Sequence, residues 1–513
     1  MKTRLFIVLL ASCLVLCACP HKIEPEDPPV IVDPDDPGGQ EEPTDPTDPP
    51  DPPEPEGPKS EKCDLTVLRF FPSANPSIGQ TIEVPARAIR GMWFLFVTLP
   101  ETADLTAMVP AFEVSKKAKV TVDGTELTNG KTPVDLSAPA FWTVVAEDGE
   151  HSKNYLVIPR KGDSGIDQAI YNFMGSYNLP GVSIALSNND HIVYSAGYGL
   201  AEVNATEPVF CTENHLFRLA SVSKTLTAIC ILRLCFDGLL HLEDKIFAPG
   251  GCLADVCPGH SAAADEIRIL DLLTHRSGWN NYAIGTDPIF TTSSNFYGKS
   301  VKQRLAFLLA NYPPSRTPGT YYSYFNMGFS ILGLVIEQVS GLSYEDYLRE
   351  TVSCAGAFDV WVSRTARNKK RPNECVFYSQ DTGYPYDNNT EIAAACGGVT
   401  ASAPDLARIL CAIDYNTSCP DILPEELLDK MYTNYTSSGK GGYGLGWWIG
   451  HNAYPDWAAF HTGTLSGTAT LWVRGNNGVN GVILCNSRSG LDSFDGAMYD
   501  ALDKAMKRVK DNY

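Results

Sequence analysis

The sequence lacks the short motifs that hold zinc, and it is short of positive charge. Its 9 histidines and 15 cysteines form no His-Glu-x-x-His, His-x-His or Cys-x-x-Cys spacing, so we expect neither a metal site nor a cofactor. Only 40 Lys and Arg residues face 60 Asp and Glu residues, which gives a net charge of −20. Such a surface repels phosphate backbones and anionic lipid heads. This excludes nucleic acid as a partner and membrane contact through a polybasic patch.

The apolar run at residues 5–16 follows two positive charges and is too short to cross a bilayer as a permanent helix. Residues 1–18 are therefore predicted to be an export signal. The run ends in Leu-Cys-Ala-Cys at 16–19, which resembles the lipobox of bacterial lipoproteins. The resemblance implies a lipid on Cys19 and hence attachment to a membrane. The alternative is an ordinary signal peptide that is cleaved after Ala18.

Residues 19–62 cannot form a hydrophobic core. From residue 20 onward they contain 14 Pro and 14 Asp or Glu against 3 Lys. Proline removes backbone donors and like charges repel, so we predict a disordered tether that reaches about 130 Å when fully extended. Acidic residues soon after Cys19 resemble the surface-export signal of Bacteroidota lipoproteins. This implies an exported protein anchored to the outer membrane, either in the periplasm or at the cell surface.

Residues 63–160 consist of short β-rich runs separated by turns, for example at 93–98, 119–122 and 141–145. This spacing, with Asp-Gly turns and no helical period, predicts a small all-β sandwich. The stretch Thr-Val-Val-Ala-Glu-Asp-Gly at 143–149 resembles the immunoglobulin-like accessory domains of Bacteroidota surface lipoproteins. Two roles stay open for this region: a spacer, or a module that binds carbohydrate or a partner.

Residues 161–513 carry the candidate chemistry, and its first motif is Ser221-x-x-Lys224, ahead of an apolar helix at 229–234. Residues i and i+3 of a helix share a face, so the lysine amine is expected one turn from the serine hydroxyl. A serine hydroxyl needs such a base to become a nucleophile, and a helix N-terminus favours the developing negative charge. A second Ser-x-x-Lys, at 437–440, lies in a glycine-rich stretch that cannot hold a helix. We interpret it as a chance match.

Two further motifs follow along the chain. The first is Tyr-Phe-Asn at 324–326, between a Pro-Gly turn and an apolar helix predicted at 329–339. Other Tyr-x-Asn matches, at 386–388 and 432–434, lack that context. The second is His-Thr-Gly-Thr at 461–464, which contains the only His-x-Gly in the chain.

In this order the three motifs resemble the serine β-lactamase and penicillin-binding protein superfamily, in its class C-like branch. That branch includes D-Ala-D-Ala carboxypeptidases, D-amino-acid peptidases and esterases. The resemblance runs over 166–510 and includes the stretches 267–278, 395–399 and 443–447. It implies an α+β, β-lactamase/transpeptidase-like domain over 161–513, with an antiparallel sheet flanked by helices and a helical subdomain, preceded by the immunoglobulin-like sandwich.

The resemblance also implies roles for the residues. Ser221 is the expected nucleophile, and Lys224 and Tyr324 are expected to move its proton. Asn326 is expected to hydrogen-bond both Lys224 and a substrate amide. Phe325 replaces the serine that is usual in the family, and its side chain is expected to point away from the reacting centre.

The residues 461–464 are expected to form the inner edge strand beside the nucleophile and to bind substrate. His461 would be a weak, mostly neutral anchor where many β-lactamases have lysine, which argues against antibiotic hydrolysis. Thr462 lies between it and Gly463, whose missing side chain would allow close approach of substrate. The backbone N–H groups of Ser221 and Thr464 would form the oxyanion hole. A purely structural role for His461 stays open.

Several other residues are interpreted as structural. His275 is expected to be structural and not catalytic, and the Trp447-Trp448 pair is expected in the core or the cleft wall. Twelve cysteines follow residue 60, and the sequence does not determine how they pair. Cys230 and Cys235 are expected to be small buried residues. The spacing allows loops closed by the following pairs: Cys252 with Cys257, Cys411 with Cys419, and Cys354 with Cys375.

Together these observations predict a membrane-anchored serine hydrolase that acts through an acyl-enzyme on an amide or ester. A D-amino-acid peptidase or D-Ala-D-Ala carboxypeptidase is expected first, and an esterase or β-lactamase of the same fold is the alternative. The substrate would be a small molecule or a peptide, including peptidoglycan. An alternative of another class is a non-catalytic lipoprotein that binds or senses peptidoglycan.

Overall fold

A computed structural model of the chain describes residues 57–204, 207–381, 383–416, 419–437, 439 and 441–512. The predicted export signal, Cys19 and nearly all of the predicted tether lie outside the described residues, as do Ser438 and Lys440 of the second Ser-x-x-Lys. Residues 59–513 form one compact unit, so contacts between its parts can be described.

The first hundred residues of this unit contain strands and one short 3₁₀ turn. The strands form a three-stranded sheet in the order β2-β1-β5 and a six-stranded sheet in the order β3-β4-β9-β8-β6-β7. Neighbouring strands are antiparallel except for β4 and β9. Their bounds are β1 (Leu65–Phe70), β2 (Ile82–Pro85), β3 (Arg87–Ile89), β4 (Met92–Leu99), β5 (Ala111–Val114), β6 (Lys119–Val122), β7 (Thr125–Glu126), β8 (Ala140–Val145) and β9 (Ser152–Lys161).

The two sheets enclose one buried apolar core, to which Leu68, Val97, Trp142 and Tyr155 contribute. The β-rich runs expected at 93–98, 119–122 and 141–145 coincide with β4, β6 and β8. The immunoglobulin-like assignment and the boundary at residue 160 stay predictions.

The remainder of the chain mixes helices and strands, as the α+β prediction expects. Its helices are α1 (Ser164–Ser176), α2 (Ser223–Phe236), α3 (Ala262–Asp265), α4 (Ile269–Leu273), α5 (Asn281–Ile284), α6 (Val301–Asn311), α7 (Asn326–Ser340), α8 (Tyr344–Ser353), α9 (Ala394–Gly397), α10 (Ala403–Cys411), α11 (Glu425–Tyr432) and α12 (Phe494–Asn512). Its strands are β10 (Gly181–Asn188), β11 (His191–Glu202), β12 (Val209–Phe210), β13 (Phe217–Arg218), β14 (Val360–Val362), β15 (Tyr378–Ser379), β16 (Val399–Ala401), β17 (Gly442–Tyr443), β18 (Trp448–Ile449), β19 (Trp457–Leu465), β20 (Thr468–Gly475), β21 (Val479–Cys485) and β22 (Ser487–Arg488).

Eight of these strands form one antiparallel sheet in the order β12-β11-β10-β21-β20-β19-β18-β17. Side chains alternate across it: Val182 and Ile184 join the core beneath α1 and α12, whereas Ala185 joins the core that contains α2. The second core also contains residues of α4, α6, α7 and α8. The sheet positions the site, because β19 packs against the turn Ala220–Val222 that immediately precedes α2.

The N-terminal strands share a core with this domain. Phe94, Phe96 and Leu156 belong to the same buried cluster as Ile170 and Leu502. The Phe96 ring stacks on Tyr171 with centroids 4.5 Å apart. These strands therefore pack against α1 and share a hydrophobic core with the helical and mixed region that follows them.

A buried carboxylate lies at this junction. Asp167 of α1 is fully buried and accepts hydrogen bonds from Thr98 Oγ1 at 2.8 Å and Tyr198 Oη at 2.7 Å, and also from the Tyr194 hydroxyl. Arg160 of β9 supplies the positive charge, with Nε 3.3 Å from the carboxylate. Strand residues thus neutralise and solvate a charge that belongs to the first helix of the larger domain.

Replacing Arg160 by methionine should lower the free energy of unfolding by about 2–3 kcal/mol, because it leaves the buried Asp167 carboxylate without its cation. Denaturant unfolding monitored by tryptophan fluorescence measures this loss. The matched control is Lys119→Met, which breaks the exposed Lys119–Glu126 pair and should cost less than about 1 kcal/mol. Equal effects of the two substitutions would contradict the role given to Arg160.

The described residues contain no single membrane-spanning helix, no metal-binding cluster and no disulfide. No single described helix is long and apolar enough to cross a membrane, although α7 and α8, bent by 79°, pass that test as a pair. No group of three or more His, Cys, Asp or Glu side chains in the described part of the chain is placed to hold a metal ion. The twelve cysteines from Cys63 onward are free thiols here, so none of the three spacings considered above is joined.

Candidate active site

Ser221 lies in a 3₁₀ turn, Ala220–Val222, immediately before α2. Lys224 follows in the first turn of α2, and its Nζ donates a hydrogen bond to Ser221 Oγ at 3.1 Å. The lysine is fully buried and also donates to the Cys396 carbonyl at 2.6 Å. Among the described residues these oxygens are its only hydrogen-bond partners, and neither belongs to a carboxylate. The amine is thus aimed at the serine without being held in an ion pair.

The backbone before the serine is strained. Ala220 has a φ of 48°, a left-handed conformation that a residue with a side chain rarely adopts and that costs about 1–3 kcal/mol. Two hydrogen bonds of the preceding residue hold it there. Leu219 N–H donates to Val399 O at 2.8 Å, and Leu219 O accepts from Thr470 Oγ1 at 2.8 Å. The position of Ser221 is therefore set by the surrounding strands as well as by α2.

The Tyr324 ring lies beside the amine of Lys224. The ring centroid lies 4.7 Å from Lys224 Nζ. In the part of the chain that the structure describes, the Tyr324 hydroxyl makes no hydrogen bond to Ser221 or Lys224. The structure thus brings the three predicted proton-moving groups together, with the phenol half-buried beside the amine.

The His275 ring packs against the Tyr324 ring. Its ring lies 4.3 Å from the Tyr324 ring, centroid to centroid, and its Nδ1 accepts the Phe325 N–H at 3.1 Å. Burial, and next the positive charge of Lys224, lower the pKa of His275 well below its usual value. The imidazole is therefore neutral and carries its proton on Nε2. Phe325 points into the apolar core, as expected, where it is 1% exposed.

Asn326 begins α7 and has a different partner from the one expected. Its Nδ2 donates to Asp287 Oδ2 at 2.7 Å, while its Oδ1 is buried without a hydrogen-bond partner. No hydrogen bond joins Asn326 to Lys224 in the part of the chain that the structure describes. The expectation of that bond is not met, because the Asp287 carboxylate takes the amide donor.

Gly463 permits a close approach, but of a different group from the one expected. A Cβ at this position would lie 2.1 Å from Leu219 O and 2.2 Å from Thr470 Oγ1. Strand β19 therefore packs directly against the turn that carries Ser221, and the missing side chain makes room for that turn. The neighbouring Thr462 is half-buried and Thr464 is exposed.

His461 is 1% exposed, and both of its ring nitrogens are occupied. Nδ1 lies 2.7 Å from Thr462 O, which can only accept, so Nδ1 carries the proton and Nε2 accepts from the Tyr443 hydroxyl at 2.9 Å. Burial, with a smaller contribution from Lys224, lowers the pKa of His461 to about 3. The ring is neutral and has no free nitrogen for substrate. This favours the structural role over the predicted substrate anchor.

The competing motif matches lie in other surroundings. Ser437 is outside any helix. Tyr386 stacks on the buried Arg218, and the Tyr432 hydroxyl donates to Ile413 O at 2.7 Å. Of the tryptophan pair, Trp447 is fully buried, whereas Trp448 is half-buried against Tyr443, 5.1 Å between ring centroids.

Three groups at the site were missed by the sequence reasoning. They are the Asp287 carboxylate, the Cys396 carbonyl and the Tyr443 hydroxyl. Tyr443 and Cys396 stand in stretches that carry the family resemblance, and that was an available signal. Asp287 stands in no motif, so nothing in the sequence pattern pointed to it.

Two family models match parts of this chain. Residues 166–505 match the family described as Beta-lactamase, and residues 95–158 match the family described as SGBP, N-terminal. Penicillin-binding protein 4* of Bacillus subtilis is 28% identical over 229 residues, which are 44% of this chain and 46% of that protein. The chain thus spans about half the length of this curated relative.

Two solved structures share the fold. The D-amino acid amidase from Ochrobactrum anthropi SV3 superposes with a TM-score of 0.54 at 21% identity, over 68% of this chain and 99% of that one. The D-stereospecific amidohydrolase from Streptomyces sp. gives a TM-score of 0.51 at 22% identity, over 64% and 95% of the two chains. Since the family match covers most of this chain and contains Ser221, Lys224 and Tyr324, the protein belongs to the beta-lactamase family.

Proposed function

We propose that this protein is a serine hydrolase that cleaves an amide or ester through an acyl-enzyme. The observation that carries the proposal is the 3.1 Å hydrogen bond between Ser221 Oγ and the fully buried amine of Lys224. A serine with an adjacent base at a helix N-terminus is the arrangement that nucleophilic catalysis requires. Tyr324, beside the same amine, completes the set of proton carriers.

The reaction then proceeds in two balanced steps. Ser221 Oγ bonds to the substrate carbonyl carbon while its proton passes to Lys224 or Tyr324. The carbon–nitrogen or carbon–oxygen bond breaks, and the leaving group takes that proton. Water then adds to the acyl-enzyme and releases the acid and the free serine. The backbone N–H groups of Ser221 and Thr464 are proposed to stabilise the oxyanion in both steps.

For the substrate we propose an amide or ester of a D-amino acid, including the peptide bond of a D-Ala-D-Ala terminus. The D-amino acid amidase and the D-stereospecific amidohydrolase that share the fold support this class. The neutral, fully engaged His461 offers no cation for a substrate carboxylate, so within this class it supports an amide or ester without a free carboxylate over a β-lactam or a D-Ala-D-Ala terminus. An esterase is the second candidate for the same reason.

Covalent labelling tests the proposal on the protein from residue 57 onward. A fluorescent fluorophosphonate should label the wild type, and peptide mass spectrometry should find the adduct on Ser221. Ser221→Ala should abolish labelling, and the control Ser437→Ala, at the second Ser-x-x-Lys, should leave it unchanged. Labelling that survives Ser221→Ala removes the nucleophile. A protein that binds D-Ala-D-Ala peptides, but neither labels nor cleaves an amide, an ester or a β-lactam, is instead a binding lipoprotein.

For the location we propose export and anchoring to the outer membrane through a lipid on Cys19. The lipobox-like sequence and the acidic, proline-rich stretch that follows support this. The β-rich region at 63–160 is proposed to be an immunoglobulin-like module between tether and hydrolase. Incorporation of labelled fatty acid into the wild type, and its loss in Cys19→Ser, checks the anchor.

A further inference from the structure

A cavity of about 650 Å³ lies where the N-terminal strands meet α1. One side of it is the segment 78–84, which runs into β2, the edge strand of the three-stranded sheet. Residues of β4 and α1 line the rest, among them Thr98 and Gln168. The volume falls within the range of about 300–1,000 Å³ that small-molecule sites occupy. Of the described residues that line it, none belongs to the three motifs, so this cavity is separate from the candidate active site.

The walls of the cavity are held in place by the cores on either side. Ile78 is 1% exposed and belongs to the core between the two N-terminal sheets. On the opposite side, the Phe96 ring stacks on Tyr171 with centroids 4.5 Å apart, and Thr98 Oγ1 donates to the buried Asp167 carboxylate at 2.8 Å. A ligand therefore meets a preformed surface, which lowers the entropic cost of binding.

Exposed polar side chains with unused hydrogen-bonding capacity line the cavity. In the described part of the chain, the side chains of Gln80, Thr81 and Ser164 make no hydrogen bond. Gln168 uses only its amide NH₂, which donates to Asn172 Oδ1 at 2.8 Å. Hydroxyl and amide groups can both donate and accept. These side chains are therefore suited to a ligand whose own polar groups also do both.

The remaining lining argues against an ionic or a purely apolar ligand. Glu83 is the one charged side chain among the described lining residues, and Arg69 Nε donates to it at 2.8 Å. The lining thus offers no cation to an anionic ligand and no unpaired carboxylate to a cationic one. Apolar surface comes from Ile82, Phe96 and Pro100. A purely apolar ligand would dehydrate the polar side chains without replacing their bonds to water, which is costly.

We infer that this cavity binds a neutral oligosaccharide. Its hydroxyl groups pair with the amide and hydroxyl side chains, and the carbon–hydrogen faces of its rings lie against the apolar lining. The inference goes beyond the proposed function, because it involves neither Ser221 nor its bases. Since one wall comes from the N-terminal strands and the other from the first helix of the larger domain, a bound saccharide also stabilises their junction.

Calorimetry on the full chain tests the inference with four neutral probes: maltotriose, cellotriose, mannotriose and triacetylchitotriose. At least one of them should bind with a dissociation constant of about 1 mM or tighter. The same probe should raise the melting temperature, because it binds the folded state. The acidic trisaccharide trigalacturonate should bind at least about tenfold more weakly, because the cavity offers its carboxylates no cation.

Two substitutions locate the binding. Thr81→Trp places an indole in the cavity and should abolish saccharide binding. Gln168→Ala should weaken it about three- to tenfold, which is the effect of one lost hydrogen bond. The matched controls are Thr125→Trp on β7 and Gln338→Ala on α7, both at exposed positions that do not line the cavity. Both control variants should bind the saccharide as the wild type does.

Three results would overturn the inference. The first is the absence of binding by all four neutral probes. The second is binding that persists in Thr81→Trp protein with a wild-type melting temperature, which would place the saccharide elsewhere. The third is binding of N-acetyl-tetraalaninamide in place of the saccharides, lost with Thr81→Trp, which would make the cavity a peptide site. No readout depends on Ser221, so this inference and the proposed function can fail independently.

Discussion

Replacing Lys224 by methionine should reduce the rate of acylation of Ser221 by about 10³-fold while leaving the fold intact. The amine is the base nearest the nucleophile, 3.1 Å from Ser221 Oγ, and general-base catalysis typically contributes about 10²–10⁴-fold. Methionine has a similar length and suits the apolar surroundings of α2. The free energy of unfolding should change by no more than about 1 kcal/mol, because the lost hydrogen bonds are offset by the absence of a buried amine.

The measurement is the second-order rate of fluorophosphonate labelling, with the melting temperature followed in parallel. The control is Lys430→Met, on the exposed side of α11, where the lysine pairs with Glu426, and it should label at the wild-type rate. A Lys224→Met protein that keeps more than a tenth of the wild-type rate would show that Tyr324 or water is the base. A large loss of stability would show that the amine has a structural role.

The part of the site that could be predicted is the part set by local geometry. Ser221 and Lys224 are one helical turn apart in the sequence, so their contact follows once the helix is expected. The helix after Asn326 follows from apolar patterning in the same way.

The rest depends on contacts between segments far apart along the chain. Asn326 was assigned to Lys224, but its amide is held by Asp287, which lies in an unpatterned loop. The family resemblance implies a substrate role for His461, whereas Tyr443 and the surrounding packing bury its ring. The spacing of β-rich runs and Asp-Gly turns predicts the N-terminal strands, but it does not specify which neighbour a sheet packs against, so it does not predict the core shared with α1.

Gly463 belongs to a motif that the sequence identifies, but only the structure shows which group approaches it. Gly463→Ala should lower the free energy of unfolding by about 3 kcal/mol and acylation by about 10²-fold. The new Cβ would lie 2.1 Å from Leu219 O, a backbone atom that cannot rotate away. Leu219 is two residues before Ser221, so relief of the clash moves the nucleophile, and a shift of about 1 Å costs that much rate.

The control is Gly490→Ala, where a Cβ meets nothing within 4 Å, and this variant should match the wild type in labelling and stability. A second variant locates the clash. Thr470 Oγ1 would lie 2.2 Å from the same Cβ, and Thr470→Ala removes that contact but leaves the one with the Leu219 carbonyl. Thr470→Ala also removes the hydrogen bond to Leu219 O, so the double variant Gly463→Ala, Thr470→Ala is compared with Thr470→Ala alone and should label more slowly than that variant. Full recovery would show that the side chain, and not the turn carrying Ser221, requires the glycine.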